Sequence, residues 1–205
     1  PRGGGAPEFL REEVRPIPAA VADRLLGGRD AAAAPVLAAQ LRDALAARLL
    51  SALARADWLS APRPLHLALS PGAVTGDAFL RLDAALPAAL RAMLTLGLPA
   101  AAILEAPDAF RFARDFARLR GYRLCLEAPS GRILALMPPD RLGIEAVRVP
   151  FAPGLPADPG PLPALARAGA VEVVLAGADS AAAIAWGWEN GVERFQGRAA
   201  DRPRG

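Results

Sequence analysis

ILEAPDAFRFARDFARLRGYRLCLEAP, residues 103–129, decides the fold class. It reads as strand, helix, strand. Ala101 to Glu105 is apolar up to its last residue, as is Arg123 to Glu127 after its first. Such runs fit parallel strands covered on both faces. Between them, Pro107 and Asp108 open a helix that reaches Arg120, with proline at the start and aspartate where the helix dipole favours it. Phe110, Ala113, Phe116, Ala117 and Leu119 give this helix an apolar side, and Gly121 supplies the C-terminal cap. Each predicted strand ends in a carboxylate, Glu105 and Glu127. In α/β folds the carboxyl ends of parallel strands are where ligands and metals bind.

The same alternation extends outward. Leu65–Leu69 reads as a strand broken by Ser70, Pro71 and Gly72, followed by helical pieces from Gly76 to Leu86 and from Pro87 to Leu96. Downstream, Ala146–Val149 and Val171–Leu175 are strands, and Val192–Gln196 is a last short one. Helices are expected at Pro163–Ala168 and from a Ser180 cap to Trp188, stopped by Asn190 and Gly191. Residues 151–163 are so rich in proline and glycine that they read as a loop. Upstream, Asp30 is a candidate cap for a long helix to Ala56, with Leu37, Leu41, Leu45 and Leu49 facing the core. Phe9–Ile17 reads as one irregular strand ended by Pro16 and Pro18. Repeated βα units demand a parallel sheet with right-handed crossovers. The expected organisation is a linker over 1–7, one domain over 8–198 and a tail over 199–205.

Charge excludes some partners. The chain has 205 residues and a net charge of only +3, yet its isoelectric point is near 10.3. All 24 basic residues are arginine, which stays protonated to very high pH and raises the isoelectric point without a strongly basic surface. The arginines are scattered, so neither nucleic acid nor a polybasic membrane contact is expected. No run approaches the ~18 apolar residues of a membrane span. Cys125 is the one cysteine and His66 the one histidine. Both lie in predicted strands and read as buried filler, not as a thiolate–base pair or metal ligands. Trp186 and Trp188 read as packing residues.

From Leu65 onward these pieces resemble, in order, the bacterial EAL-domain family, TIM-barrel phosphodiesterases that cleave cyclic di-GMP with two divalent metal ions. Leu65–Pro71 resembles the family's Asn-Leu-Ser strand, and Ile103–Asp108 its Glu-x-Thr-Glu strand. Gly121–Ala128 resembles the segment ending in Asp-Asp, and Ile144–Pro150 the Lys-x-Asp strand. Val173–Ser180 resembles Ala-Glu-Gly-Val-Glu-Thr, and Gly191–Gly197 the closing Gln-Gly strand. The resemblance implies an α/β fold, an EAL-like TIM barrel that is degenerate or incomplete at its N-terminal side.

It also implies lost chemistry. Glu105 and Gln196 keep the family residue, and Glu127 keeps a carboxylate. The family's asparagine falls at Ala68, its second aspartate at Ala128 and its metal-binding glutamate at Ala176. Its lysine falls at Arg148 and the following aspartate at Pro150. The Glu-Ala-Leu motif is absent from residues 8–30. Two-metal cleavage needs converging oxygen ligands, and this set cannot supply them. The expectation is a catalytically inactive domain with no catalytic residue, no metal and no cofactor. It leaves a vestigial pocket of Glu105, Glu127, Arg148 and Gln196, in which Arg148 neutralises a carboxylate in place of the metal. The expected role is a protein-interaction or regulatory module in bacterial signalling, cytoplasmic, with a protein partner or a second copy. The alternatives are a non-hydrolysing cyclic di-GMP receptor, against which the lost residues argue, and a residual phosphodiesterase. A missing first strand would leave an open sheet edge, which the N-terminal segment, a second copy or another protein is expected to cover.

Overall fold

The computed structural model of the chain describes residues 8–14, 35–55, 58 and 61–200. The linker at 1–7, the Asp30 cap, the strand end at Pro16 to Pro18 and the tail beyond residue 200 lie outside them. The chain divides into two compact units, one formed by residues 10–98 and 105–123 and the other by 1–9, 99–104 and 124–205.

The N-terminal unit carries three parallel strands in the order β1 (Glu12–Val14), β2 (Leu65–Ala68), β3 (Leu94–Pro99). Leu65, Leu67, Leu94, Leu96 and Leu98 are buried. β1 lies on the free edge of β2 in the register Glu12↔Leu65 to Val14↔Leu67. The edge expected to be covered by the N-terminal segment, a second copy or another protein is covered by the N-terminal segment, which satisfies backbone groups that would otherwise template foreign strands. Arg11 Nη1 adds a hydrogen bond to the buried Thr95 Oγ1 at 3.0 Å.

Helix α1 (Pro35–Leu53) packs on α2 (Pro71–Thr75) and α3 (Asp77–Ala85). Its buried line is Ala46 and Leu50, whereas Leu37 is 44% exposed and Leu41, Leu45 and Leu49 are only half-buried. The predicted leucine stripe therefore flanks the contact. In a helix with apolar residues on most sides several i, i+4 rows compete, and the neighbour's shape selects one. Ser70 caps α2, its Oγ accepting from Ala73 N at 3.0 Å.

Beyond α4 (Ala88–Arg91), β3 takes residues that were expected to end a helix. Ala101–Glu105, the expected strand, is instead a short helix, α5. Leu94 to Leu98 is buried throughout, and a short buried run carries no periodicity that separates strand from helix. α5 stops at Glu105 because Ala106 precedes a proline, which disfavours the helical region; its φ is −150° and ψ 68°. Pro107 then begins α6 (Pro107–Leu119), whose Phe110, Ala113 and Ala117 face inward.

An ionic knot ties this unit together. Asp83 on α3 is buried and receives Tyr122 Oη–H on Oδ1 at 2.9 Å and Arg120 Nη2 on Oδ2. Arg91 Nε lies 2.9 Å from Oδ1, and Arg91 Nη2 donates to the Asp83 backbone oxygen at 2.9 Å. Burial opposes the charge on Asp83. The hydrogen bonds from Arg120 and Tyr122, with the charges of Arg91 and Arg120, outweigh it and hold the carboxyl below its ordinary range. Burial and the same carboxylate push the Tyr122 phenol up.

The C-terminal unit is a run of βα units. β4 (Arg123–Glu127), β5 (Ala146–Pro150), β6 (Glu172–Ala176) and β7 (Arg194–Gln196) are parallel and adjacent in chain order. α7 (Ile133–Leu136), α8 (Pro139–Leu142), α9 (Leu162–Ala168) and α10 (Ala181–Glu189) lie in the connections. Ser180 caps α10 through Ala183 N at 3.2 Å, as its position predicts. The loop before α9 is pinned by close backbone contact: a Cβ on Gly131 would stand 2.0 Å from Pro159 O, and one on Gly160 (φ +56°) 2.7 Å from Gly131 O. Trp186 packs on Phe151 with ring centroids 5.7 Å apart, and Trp188 edge-on to Phe195 at 6.0 Å. No helix among the described residues is long and apolar enough to cross a membrane.

Candidate functional site

Register builds the site. Glu127, the last residue of β4, pairs with Arg148 of β5. Arg148 pairs in turn with Val174 of β6, and Ala176, two residues on, pairs with Gln196 of β7. Register partners and residues two apart share a sheet face. Arg148 therefore stands on the same face as Glu127, Ala176 and Gln196. Its guanidinium joins them: Nη1 donates to Glu127 Oε2 at 2.9 Å, and Nε donates to Gln196 Oε1 at 2.8 Å. The side chain reaches over β6 to do so. The two ionic side chains are 11% and 18% exposed, so the pair is largely shielded from water. Charge-assisted bonds in such a setting are stronger than on an open surface.

Three of the four predicted pocket residues thus meet. Glu105 does not sit at a strand end. It is exposed at the close of α5, because the strand that precedes it ends six residues earlier, at Pro99. The end of β3 carries Gly97, Leu98 and Pro99, none of which offers a side-chain oxygen. His66 is buried on β2 and Cys125 on β4. The Asp83 knot escaped sequence reasoning. An aspartate within Leu-Arg-Leu-Asp-Ala-Ala reads as a solvated helix residue, and nothing local announces the arginines at 91 and 120.

A pair of divalent cations needs more oxygen donors than these strand ends carry. In the C-terminal unit the strand ends offer Glu127 and Gln196 as side-chain oxygen donors, and both are engaged by Arg148. Ala128, Pro150 and Ala176 offer none. In the N-terminal unit Ala68 and Leu69 offer none, and Ser70 Oγ is spent on the α2 cap and on Asp43 Oδ1 at 2.7 Å. Mg²⁺ and Mn²⁺ want near-octahedral oxygen shells, and two-metal chemistry needs carboxylates shared between ions. A guanidinium fixed on the remaining carboxylate would repel a cation brought to it. These residues do not fit the metal pair.

Several solved structures similar to this chain contain EAL domains. The EAL domain of Mycobacterium smegmatis DcpA matches with a TM-score of 0.57 and 20% identity over 82% of this chain and 80% of its own. The S helix–GGDEF–EAL portion of Vibrio cholerae LapD matches at 0.61 with 14% identity, over 82% of this chain and 43% of LapD's. Bacillus subtilis YkuI, solved with its substrate cyclic di-GMP and calcium, matches at 0.60 with 15% identity, over 80% and 43%. The fold is that of an EAL domain. At these identities the likeness concerns architecture alone, and the chain spans under half of the LapD and YkuI chains. No protein-family model and no curated protein sequence matches it. The EAL-like barrel read from residues 103–129 and their neighbours is therefore correct as a fold, although one of the strands that suggested it is a helix.

Proposed function

We propose that this chain is a catalytically inactive EAL-like domain, a cytoplasmic protein-interaction or regulatory module in bacterial signalling. One observation carries the reading. The positive charge beside Glu127 and Gln196 is supplied by Arg148, hydrogen-bonded to both, so an internal cation stands where the resemblance places the lysine and carboxylates of a metal site. An arginine is never deprotonated at neutral pH and cannot deliver a nucleophilic hydroxide. The oxygen ligands that would hold metals to do so are Ala68, Ala128 and Ala176.

Titration calorimetry with cyclic di-GMP, with and without Mn²⁺, combined with chromatography of the nucleotide, tests this. No heat and no linear dinucleotide are expected. Linear product in the Mn²⁺ sample would overturn the assignment. Heat without metal and without product would favour the second reading, a non-hydrolysing receptor. Similar structures solved with the dinucleotide, such as the Xanthomonas citri FimX EAL domain, support keeping that reading.

A further inference from the structure

Helix α6 buries one side and leaves the other bare. Phe112 is 65% exposed and Leu119 86% exposed, seven residues apart on one stripe. Asp108 and Asp115 share that stripe, at 100° per residue, while Arg111 and Arg118 flank it on one side and Phe112 leans to the other. None of these residues takes part in the strand-end site, and Phe112 and Leu119 lie outside the Asp83 knot.

The order of signs along this face is minus at 108, plus at 111, minus at 115, plus at 118. Reversed, the same list reads plus, minus, plus, minus at identical spacings. Two copies of α6 laid antiparallel, with a two-fold axis at the level of residue 113, bring each of these four charges opposite its complement. Asp108 then meets the second copy's Arg118, and Arg111 meets the second copy's Asp115. Leu119 falls opposite Pro107. A two-fold of this kind places like flanks together, so the ionic flanks meet on one side of the contact and the two Phe112 rings on the other, near the axis. Within the helix Arg111 already pairs with Asp108, and Arg114 with Asp115. The second copy would extend these pairs into a network. A parallel arrangement in register would instead oppose like charges.

We propose that this face of α6 is an isologous dimer contact, and that its partner is a second copy of the same chain. Aromatic residues carry much of the binding energy of interfaces, and complementary charges fix their register. A 13-residue helix is about 20 Å long, so a single helix pair makes a small interface and a weak dimer. The proposal does not depend on whether the strand-end site binds nucleotide.

Sedimentation velocity of the chain, up to about 200 μM, provides the test. A monomer–dimer equilibrium is expected. It should weaken when salt is raised from about 50 mM to about 500 mM, because rim charges are screened. Phe112→Ser should raise the dissociation constant at least about tenfold, since buried aromatics dominate such contacts. Arg111→Glu with Arg118→Glu gives an all-acidic face, and Asp108→Arg with Asp115→Arg an all-basic one. Each should be monomeric alone, and an equimolar mixture should associate. A wild-type chain that stays monomeric would overturn the proposal. So would a dimer indifferent to Phe112→Ser and to the reversals, or assembly that continues past the dimer. Should a reversal lose helix by circular dichroism, Phe112→Ser, at an exposed position, decides alone.

Discussion

Arg148→Met is the most direct probe of the strand-end site. The replacement keeps the unbranched apolar stem of the side chain and removes two charge-assisted hydrogen bonds, at 2.9 Å to Glu127 and 2.8 Å to Gln196. Bonds to charged groups contribute about 1.5–3 kcal/mol each. Breaking a buried ion pair from one side costs about 3–5 kcal/mol, because the remaining charge stays shielded from water. The pair is 11% and 18% exposed, so some of that cost is relieved by solvent and the lower end applies, about 3 kcal/mol. For a chain of this size that corresponds to a fall in Tm of roughly 6–12 °C. Urea unfolding of wild type, Arg148→Met, Glu127→Gln and the double variant forms a cycle that isolates the pair, with an expected coupling of about 2 kcal/mol. Gln196→Ala, which removes a neutral acceptor, should cost less than Arg148→Met. If Arg148→Met lost under about 1 kcal/mol, or the cycle were additive, the guanidinium would not be holding the site and the structural half of the functional proposal would fall.

Other expectations follow from the same physics. Asp83→Asn should cost about 2–3 kcal/mol at pH 7, moderated because Arg120 is 39% exposed while Arg91 is 15% exposed. The folded-state pKa of Asp83 is lowered, so wild type holds its full advantage above the unfolded value near about 4 and loses it as pH falls through the folded one. Urea midpoints at neutral and at acidic pH should show the gap closing, and a gap that persisted in acid would contradict the knot. Gly187→Ala should destabilise by about 1–3 kcal/mol, since its Cβ would lie 2.4 Å from the Phe195 ring and 3.3 Å from Leu175. Phe195→Leu in the same chain should recover part of that loss, and thermal melts of the pair measure it. Gly160→Ala sets a left-handed residue against the Gly131 carbonyl and should speed limited proteolysis within residues 151–161.

How far a residue can be read depends on the range of the force that places it. The strand Arg123–Glu127 and the helix after Pro107 coincide with their sequence signals, and Gly121 turns at φ +86° as a C-terminal cap should. Caps, prolines and period-2 runs act within a few residues, so they survive translation into structure. β3 was missed because Leu94 to Leu98 is buried on every side, which erases the alternation that marks a strand, and the alanine-rich segment after it mimicked one. That single displacement moved Glu105 from a strand end to a solvated helix end.

The order of βα units and the all-arginine basic complement belong to the chain's composition and spacing, and they were determined before any folding. What only the tertiary structure decided is which of the surviving polar groups touch. Arg148 and Gln196 stand 48 positions apart and on strands that are not neighbours. Parallel register sets them on one face, and the long arginine side chain spans the strand between. Asp83 gathers Arg91, Arg120 and Tyr122 in the same way. Side-chain contacts of this kind depend on strand register and helix docking, which are cooperative properties of the packed core and leave no mark in any local window of sequence.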